Sequence, residues 1–333
     1  MKILAIKFKY LGDVAVAVPA LRALRAEWPQ AELHYLVPEE AVPVVEGLPW
    51  LDRVWAFPRT RGRLRLRETR PLLKRLRQEK FDRSIDFVGN DRGAWASWLI
   101  GAKERLAVRP QRGFAWRRLL YTRTLEELDF NRHETVRDFF PLAEAWKVKP
   151  PRRWDLECFL REEQEDENFD SGNVLAHVST SRSCKEWPVE EWSRFASLAE
   201  KEGVCITFCT GPSTREGALL DELEKRNPRL SKLPTGLDLA AFMQRLAKAR
   251  LLISADTAPL HIAAGLGVPT VGLFGPTDAG RWAPPGKQHR TLQADFCLCS
   301  GHAIECSISR PCMSTIKPEH AWAQCRDLLE VSK

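Results

Sequence analysis

The chain has 333 residues, 44% hydrophobic and 29% charged, with 12 Trp and 15 Phe. That is too much chain for one ordinary core and suits two domains of about 150 residues each. A formal net charge of +7 favours anionic partners such as nucleic acid, phospholipid head groups or phosphorylated saccharides, and charge alone does not choose among them. No stretch approaches the roughly 18 apolar residues that span a bilayer, and the opening MKILAIKFKY runs only four apolar residues before Lys7. That is short of a signal peptide's apolar region, so a cytoplasmic protein is expected. Nine cysteines are an odd number, and Cys158, Cys184, Cys205, Cys209 and Cys325 are scattered as in a reducing compartment.

In chain order, KILAIKF reads as a strand, the glycine of KYLGD turns the chain, and VAVAVPALRALRAEWP carries apolar residues at helical spacing. ELHYLVP and DRVWAFP read as strands, ETRPLLKRLRQEK as a charged helix and KFDRSIDFVGN as a further strand. The rhythm loosens between about 105 and 170, where Pro150, Pro151 and the acidic REEQEDENFDSG read as an interdomain linker. It restarts with NVLAHVST, VCITFCTG, RLLISAD and VPTVGLFG as strands between helical segments, and KPEHAWAQCRDLLE forms a last helix. Alternating strands and helices imply parallel sheets covered on both faces.

In such sheets ligands bind beyond the carboxyl ends of the strands. Asp256 and Thr257 follow one strand and open the helix APLHIAAGLG, whose free N–H groups attract phosphate. Asp256 would equally serve as a plain N-cap, but His261 falls one turn after Thr257 and points to the same helix mouth. Gly275 and Pro276 of GLFGPTD end the next strand at the same edge. STSRSCKEWP sets Thr180, Ser181 and Lys185 in another loop there; hydroxyls and an ammonium suit a diphosphate, although a solvated polar loop would look the same. Near the start, Asp13 opens the first helix. The helix dipole alone would favour an acid there, and an acid there could also accept a proton from an attacking hydroxyl.

Together LGDVAVAVPALRAL, TSRSCKEWP, SADTAPLHIAAGLGVPTVGLFGPTD and the tail with CMSTI resemble glycosyltransferase family 9, the bacterial heptosyltransferases of the lipopolysaccharide inner core, over nearly the whole chain. The resemblance implies an α/β GT-B fold of two Rossmann-like domains with the active site between them. Residues 1–160 would bind the acceptor and 161–315 the nucleotide sugar, with a C-terminal helix over 316–333 packing back on the first domain. It implies ADP-heptose as donor, inversion at the anomeric carbon and no cofactor required for catalysis. By the family pattern Asp13 looks like the general base and Lys185 like the support of the leaving diphosphate, while Thr180, Ser181, Glu216, Asp256, Thr257, Ala258 and His261 match donor-pocket positions. Many members carry small hydroxyl residues before the Leu-Gly-Asp, where this chain has Lys-Phe-Lys-Tyr.

The stretch 59–80 has ten basic residues against two acids. Its first part, RTRGRLRLR, alternates with period two and reads as a loop or edge ribbon; in the family a loop there would meet an anionic lipid-linked saccharide acceptor, which makes Arg59, Arg61 and Arg63 the acceptor-binding candidates. Contact with the inner surface of the membrane is the accompanying expectation, and nucleic acid is not an expected partner. In CLCSGHAIECSISRPC, Cys297, Cys299, Cys306 and Cys312 lie within sixteen residues and could close a structural zinc or iron site; the C-x-C spacing makes this the lesser reading beside reduced thiols or a disulfide. A transferase for another nucleotide sugar is the nearest alternative. A nicotinamide-dependent oxidoreductase would need G-x-G-x-x-G after an early strand, where KYLGDVAVAV has one glycine. A nucleic-acid binder using the arginine stripe would show steep salt dependence and no affinity for nucleotide sugars.

Overall fold

In the computed structural model, residues 1–58, 66–108, 115–126, 131–157, 173–295, 297 and 312–331 are described. The chain divides into two units, Met1–Trp154 and Asp155–Lys333. The division thus falls after Trp154, directly behind the Pro150-Pro151 pair, rather than after residue 160.

The first unit runs β1 (Lys2–Ile6), α1 (Leu11–Val16), α2 (Val18–Glu27), β2 (Glu32–Pro38), α3 (Val42–Val45), β3 (Arg53–Phe57), α4 (Leu66–Gln78), β4 (Arg83–Asp86), α5 (Asp91–Ile100), β5 (Glu104–Val108), β6 (Arg123–Leu125) and α6 (Glu134–Trp146). Its sheet has the order β3-β2-β1-β4-β5-β6, with every pairing parallel. β1 and β2 are nearly continuous apolar runs because helices cover both faces. On one face Leu4, Ile6 and Phe57 pack with Leu73 and Leu76 of α4 and with Ala96 and Ile100 of α5. Where the sequence rhythm loosens, the structure continues it through β5, β6 and α6. Prolines, short strands and surface arginines blur the pattern there without breaking it.

The second unit runs β7 (Val174–His177), α7 (Val189–Lys201), β8 (Ile206–Cys209), α8 (Thr214–Arg226), β9 (Ser231–Lys232), α9 (Leu239–Lys248), β10 (Leu251–Ala255), α10 (Ala258–Gly265), β11 (Thr270–Phe274), α11 (Ala279–Trp282), β12 (His289–Gln293) and α12 (Pro318–Val331). The sheet order is β12-β11-β10-β7-β8-β9, again all parallel. The sequence reading returns the last helix to the first domain. In the structure Ala321, Trp322, Cys325, Leu328 and Leu329 of α12 join Trp192, Phe195 and Ile253 in the core of the second unit. The apolar face of α12 recurs at helical spacing, and α7 with the sheet supplies its partner.

Both sheets reverse strand order once, between β1 and β4 in the first and between β7 and β10 in the second. Such a reversal separates the two following connections and opens a crevice beyond the strand ends. It is there that the candidate residues gather.

Candidate functional site

In the second unit β7 and β10 lie side by side, with Ser254 level with His177. The loops leaving them carry Thr180 to Lys185 and Asp256 to His261. Lys185 Nζ donates to Asp256 Oδ2 at 2.6 Å, and His261 Nε2 lies 3.5 Å from Asp256 Oδ1. Asp256 and His261 are both buried. Burial alone would raise the Asp256 carboxyl, but the His261 ring and the Lys185 ammonium outweigh it and hold the group well below the usual carboxylate range. Asp256 is therefore anionic at every physiological pH and fixes two potential donors beside it.

The same two donors sit at the start of α10. Its N-cap, Thr257, is extended and makes no side-chain capping bond, and Pro259 occupies the first turn. Pro259 has no N–H and Leu260 N donates to Thr257 O at 3.1 Å, so the Ala258 N–H stands at the positive end of the helix dipole, a natural partner for a phosphate oxygen. Ala258, half-buried at the first helical position, carries only a methyl group beside it. The buried Nδ1 of His261 has no hydrogen-bond partner among the described residues. Asp256 is thus not the N-cap that a plain reading would make it; it lies one residue earlier and holds a lysine.

The loop after β7 is stiffened from within. The Thr180 hydroxyl donates to Arg182 O at 2.5 Å and accepts from Arg182 N, a local turn, while Ser181 is exposed. Thr180 N donates to Glu186 Oε1 at 3.0 Å; Arg215 donates to Glu186 and to Thr180 O. Glu216 caps α8 with Ser213 in a reciprocal capping box. Its other oxygen accepts from Ser179 Oγ at 3.0 Å, and Ser179 Oγ accepts from Gly211 N at 2.9 Å. A Cβ at residue 211 would collide with the Glu216 carboxylate and displace it from this position. In this arrangement Glu216 ties the loop after β7 to the loop after β8. Ser179, Glu186 and Arg215 escaped the sequence reading because their roles depend on contacts between loops far apart in sequence.

In the first unit the connections after β1 and β4 emerge together, with Ile6 level with Asp86. Asp13 sits in the first turn of α1 and is buried; its Oδ1 lacks a hydrogen-bond partner among the described residues, and Lys9 Nζ lies 3.8 Å away. Beneath it is a group that the sequence reading did not single out. Lys7 Nζ, buried, donates to both carboxylate oxygens of Asp138 on α6, at 2.6 and 2.7 Å. Burial pushes the Lys7 ammonium down, but the charges of Asp138, Glu134 and Asp13 together raise it. Burial raises the Asp138 carboxyl, Lys7 draws it back, and Glu134 and Asp13 push it up again. Three carboxylates thus surround one ammonium. The visible signals were a lysine ending an apolar strand and an acid on the buried face of α6, between Thr135 and Phe139.

Asp86 ends β4 fully buried. It accepts from Tyr121 OH at 2.7 Å and from the N–H groups of Val88 and Gly89, and a Cβ at residue 93 would strike its carboxylate. Arg59, Arg61 and Arg63 lie outside the described residues, as do Cys299 and Cys306. Cys312 is buried in the core of the second unit and Cys297 packs against it. Among the described residues there is no group of three or more His, Cys, Asp or Glu placed to hold a metal ion, and no helix long and apolar enough to cross a membrane.

The profile of glycosyltransferase family 9 (heptosyltransferase) matches residues 69–305. The chain belongs to glycosyltransferase family 9. Relatives within the family's reach include the lipopolysaccharide heptosyltransferase 1 of Pseudomonas aeruginosa, 28% identical over 318 residues with 89% of this chain and 84% of that protein covered. The lipopolysaccharide core heptosyltransferase OpsX of Haemophilus influenzae is 24% identical over 287 residues, covering 84% and 80%. Among solved structures, a family 9 glycosyl transferase from Veillonella parvula superposes with a TM-score of 0.79 at 21% identity, covering 99% of this chain and 97% of that one. The E. coli heptosyltransferase WaaC with ADP gives 0.73 at 20%, covering 99% and 98%. This family 9 protein is a glycosyltransferase, and its two parallel-sheet α/β units are those of the GT-B fold.

Proposed function

We propose that this enzyme transfers a heptose from ADP-heptose to a hydroxyl of a lipopolysaccharide inner-core-like acceptor, with inversion at the anomeric carbon. The observation that carries the reading is the Lys185–Asp256–His261 arrangement at the uncapped start of α10. A departing diphosphate gains negative charge as its bond to the sugar breaks, and a fixed ammonium with a helix N-terminus stabilises that charge without reorganising. Asp13 takes the proton from the acceptor hydroxyl, whose oxygen bonds to the anomeric carbon while ADP leaves with the electron pair of the broken bond. Thr180, Ser181, Glu216, Thr257 and Ala258 shape the donor pocket, and Arg59, Arg61 and Arg63 guide the anionic acceptor. The scheme asks for no cofactor, since Lys185 supplies the positive charge. The lipopolysaccharide heptosyltransferases among its relatives, and the solved WaaC complexes with ADP and with ADP-2-deoxy-2-fluoro heptose, support this choice of donor and acceptor. Such an acceptor is lipid-linked, which sets the enzyme at the cytoplasmic face of the inner membrane in peripheral contact with it.

The test is direct. Incubation with ADP-heptose and a lipopolysaccharide acceptor lacking inner-core heptose should yield acceptor heavier by one heptose, with the anomeric configuration inverted. Transfer from a UDP- or GDP-sugar and none from ADP-heptose would overturn the donor assignment.

A further inference from the structure

Helices α4 and α5 and the turn Ala115–Leu120 form one surface of the first unit. They share an apolar underside: Leu73 and Leu76 of α4 pack with Ala96 and Ile100 of α5, and Ala94 of α5 packs with Leu120 and Tyr121. Arg77 Nη1 donates to Leu99 O at 3.0 Å, joining α4 to α5. Arg117 Nη1 donates to Gly89 O and Nε pairs with Asp91, each at 2.8 Å, anchoring the turn to the start of α5. The outer side is therefore held by a fixed frame.

That outer side is unusual for a soluble surface. Trp95 and Trp98 on α5 are 37% and 46% exposed, and Trp116 and Leu119 on the turn are 40% and 72% exposed. The indoles form a cluster, with Trp95 5.7 Å from Trp98 and 5.4 Å from Trp116, both edge to face. The same elements carry exposed cations: Arg70, Lys74 and Arg77 on one face of α4, at i, i+4 and i+7, and Arg118 on the turn. Isolated exposed apolar residues are ordinary, but three clustered tryptophans with a leucine make a patch that gains by being covered.

We propose that this surface docks on an anionic phospholipid bilayer. Indoles settle at the head-group level, with the ring in the apolar boundary and the N–H in water, and leucine enters the acyl region. Arginine and lysine of the same elements meet the phosphates, so the charge of the patch complements the lipid and not a neutral protein face. Most exposed cations lie on α4 and the indoles on α5 and the turn, which gives the amphipathic layout of an interfacial element. The inference rests on the proposed lipid-linked acceptor for its biological purpose, but its physical content is independent of the donor site.

Co-sedimentation of the full chain with extruded vesicles tests it. Binding is expected to vesicles rich in phosphatidylglycerol, to weaken with salt, and to be much lower on pure phosphatidylcholine. Trp95→Ser with Trp98→Ser should weaken partitioning by an order of magnitude or more, and Arg70→Glu/Lys74→Glu/Arg118→Glu by roughly 100-fold, at about fivefold per removed cation before the added repulsion. Thermal melting and ADP-heptose affinity should stay unchanged in both variants. Transfer to a vesicle-embedded acceptor should fall while transfer to a delipidated acceptor holds. Absence of vesicle binding by the unaltered chain, or binding that neither variant weakens, overturns the proposal. So does a change in oligomeric state in the tryptophan variant with vesicle binding intact, which would make a second copy the occupant. Failure of ADP-heptose binding by the unaltered chain would sink the functional assignment alone and leave the vesicle result standing.

Discussion

Lys185 and Asp256, 71 residues apart in sequence, meet at 2.6 Å between Nζ and Oδ2 in the second unit. The carboxylate orients the ammonium and lines up His261 on its other oxygen. A lysine so held costs little side-chain entropy when it meets a diphosphate, because its rotamer is already chosen.

Lys185→Ala and His261→Ala should each weaken ADP binding. A charged hydrogen bond in a partly desolvated site is worth about 1.5 to 3 kcal/mol, roughly 10- to 150-fold. For Lys185 the loss lies toward the upper end, since the variant leaves the Asp256 carboxylate facing the diphosphate without its cation. Titration calorimetry with ADP reads both; unchanged affinity in the two variants would remove the diphosphate role.

Asp13→Asn keeps the shape of the side chain and removes the base. Transfer should drop by about 10²- to 10⁴-fold, the usual contribution of a positioned general base. ADP-heptose affinity should stay within a few-fold, because the diphosphate is assigned to residues of the other unit. Steady-state transfer together with donor calorimetry separates the two quantities, and a turnover number within twofold of the unaltered enzyme would dismiss Asp13 as base.

Lys7→Met should cost about 3 to 5 kcal/mol of stability near neutral pH, since it strands the buried Asp138 beside Glu134 and Asp13 without a cation. The cost should shrink in acid. With Lys7 gone, burial and the two neighbouring carboxylates raise the folded-state pKa of Asp138 above its unfolded value, so the folded variant holds a proton that the unfolded chain has released. Its relative stability therefore falls as pH rises between those two values. Urea denaturation at pH 5.5 and 8 tests the sign, and Lys7→Met/Asp138→Leu should recover much of the loss.

His177 and His289, both buried in the second unit, are pushed down to about 4 by burial. Unfolding frees each to take up a proton near its ordinary pKa of about 6.5, so the unfolded state binds more protons between roughly 4 and 6.5. Stability contributed by their neutrality is complete above that window and is lost as pH falls through it, by at most roughly 3 kcal/mol per histidine. Thermal melts from pH 7 to 4.5 should show this decline. His177→Gln and His289→Gln should flatten it; an undiminished slope in both would assign the acid sensitivity elsewhere.

Local pattern was enough to read the alternation of strands and helices on either side of residues 105–170, the parallel sheets and the segments carrying Asp13, Lys185, Asp256 and His261. Each of those depends on residues close in sequence: apolar runs of strand length, glycine at the turns, and helix starts directly after strand ends. The family likeness was legible in the same short motifs. Less local features were misread or unseen. The face that receives α12 depends on an apolar partner elsewhere in the chain, and no pattern within KPEHAWAQCRDLLE names Trp192 and Phe195 as that partner. The pairing of Lys7 with Asp138 spans 131 residues and exists only because β1 and α6 pack together. Glu216 matches a donor-pocket position by the family motif, and only the fold brings the Ser179 hydroxyl, itself held by the Gly211 N–H, to its other oxygen. The sequence by itself determined which elements form and which chemistry each loop carries, because backbone propensity and side-chain identity are local. Which charges share a buried site was decided by tertiary structure alone, because ion pairing and desolvation act through space over distances that sequence separation does not measure.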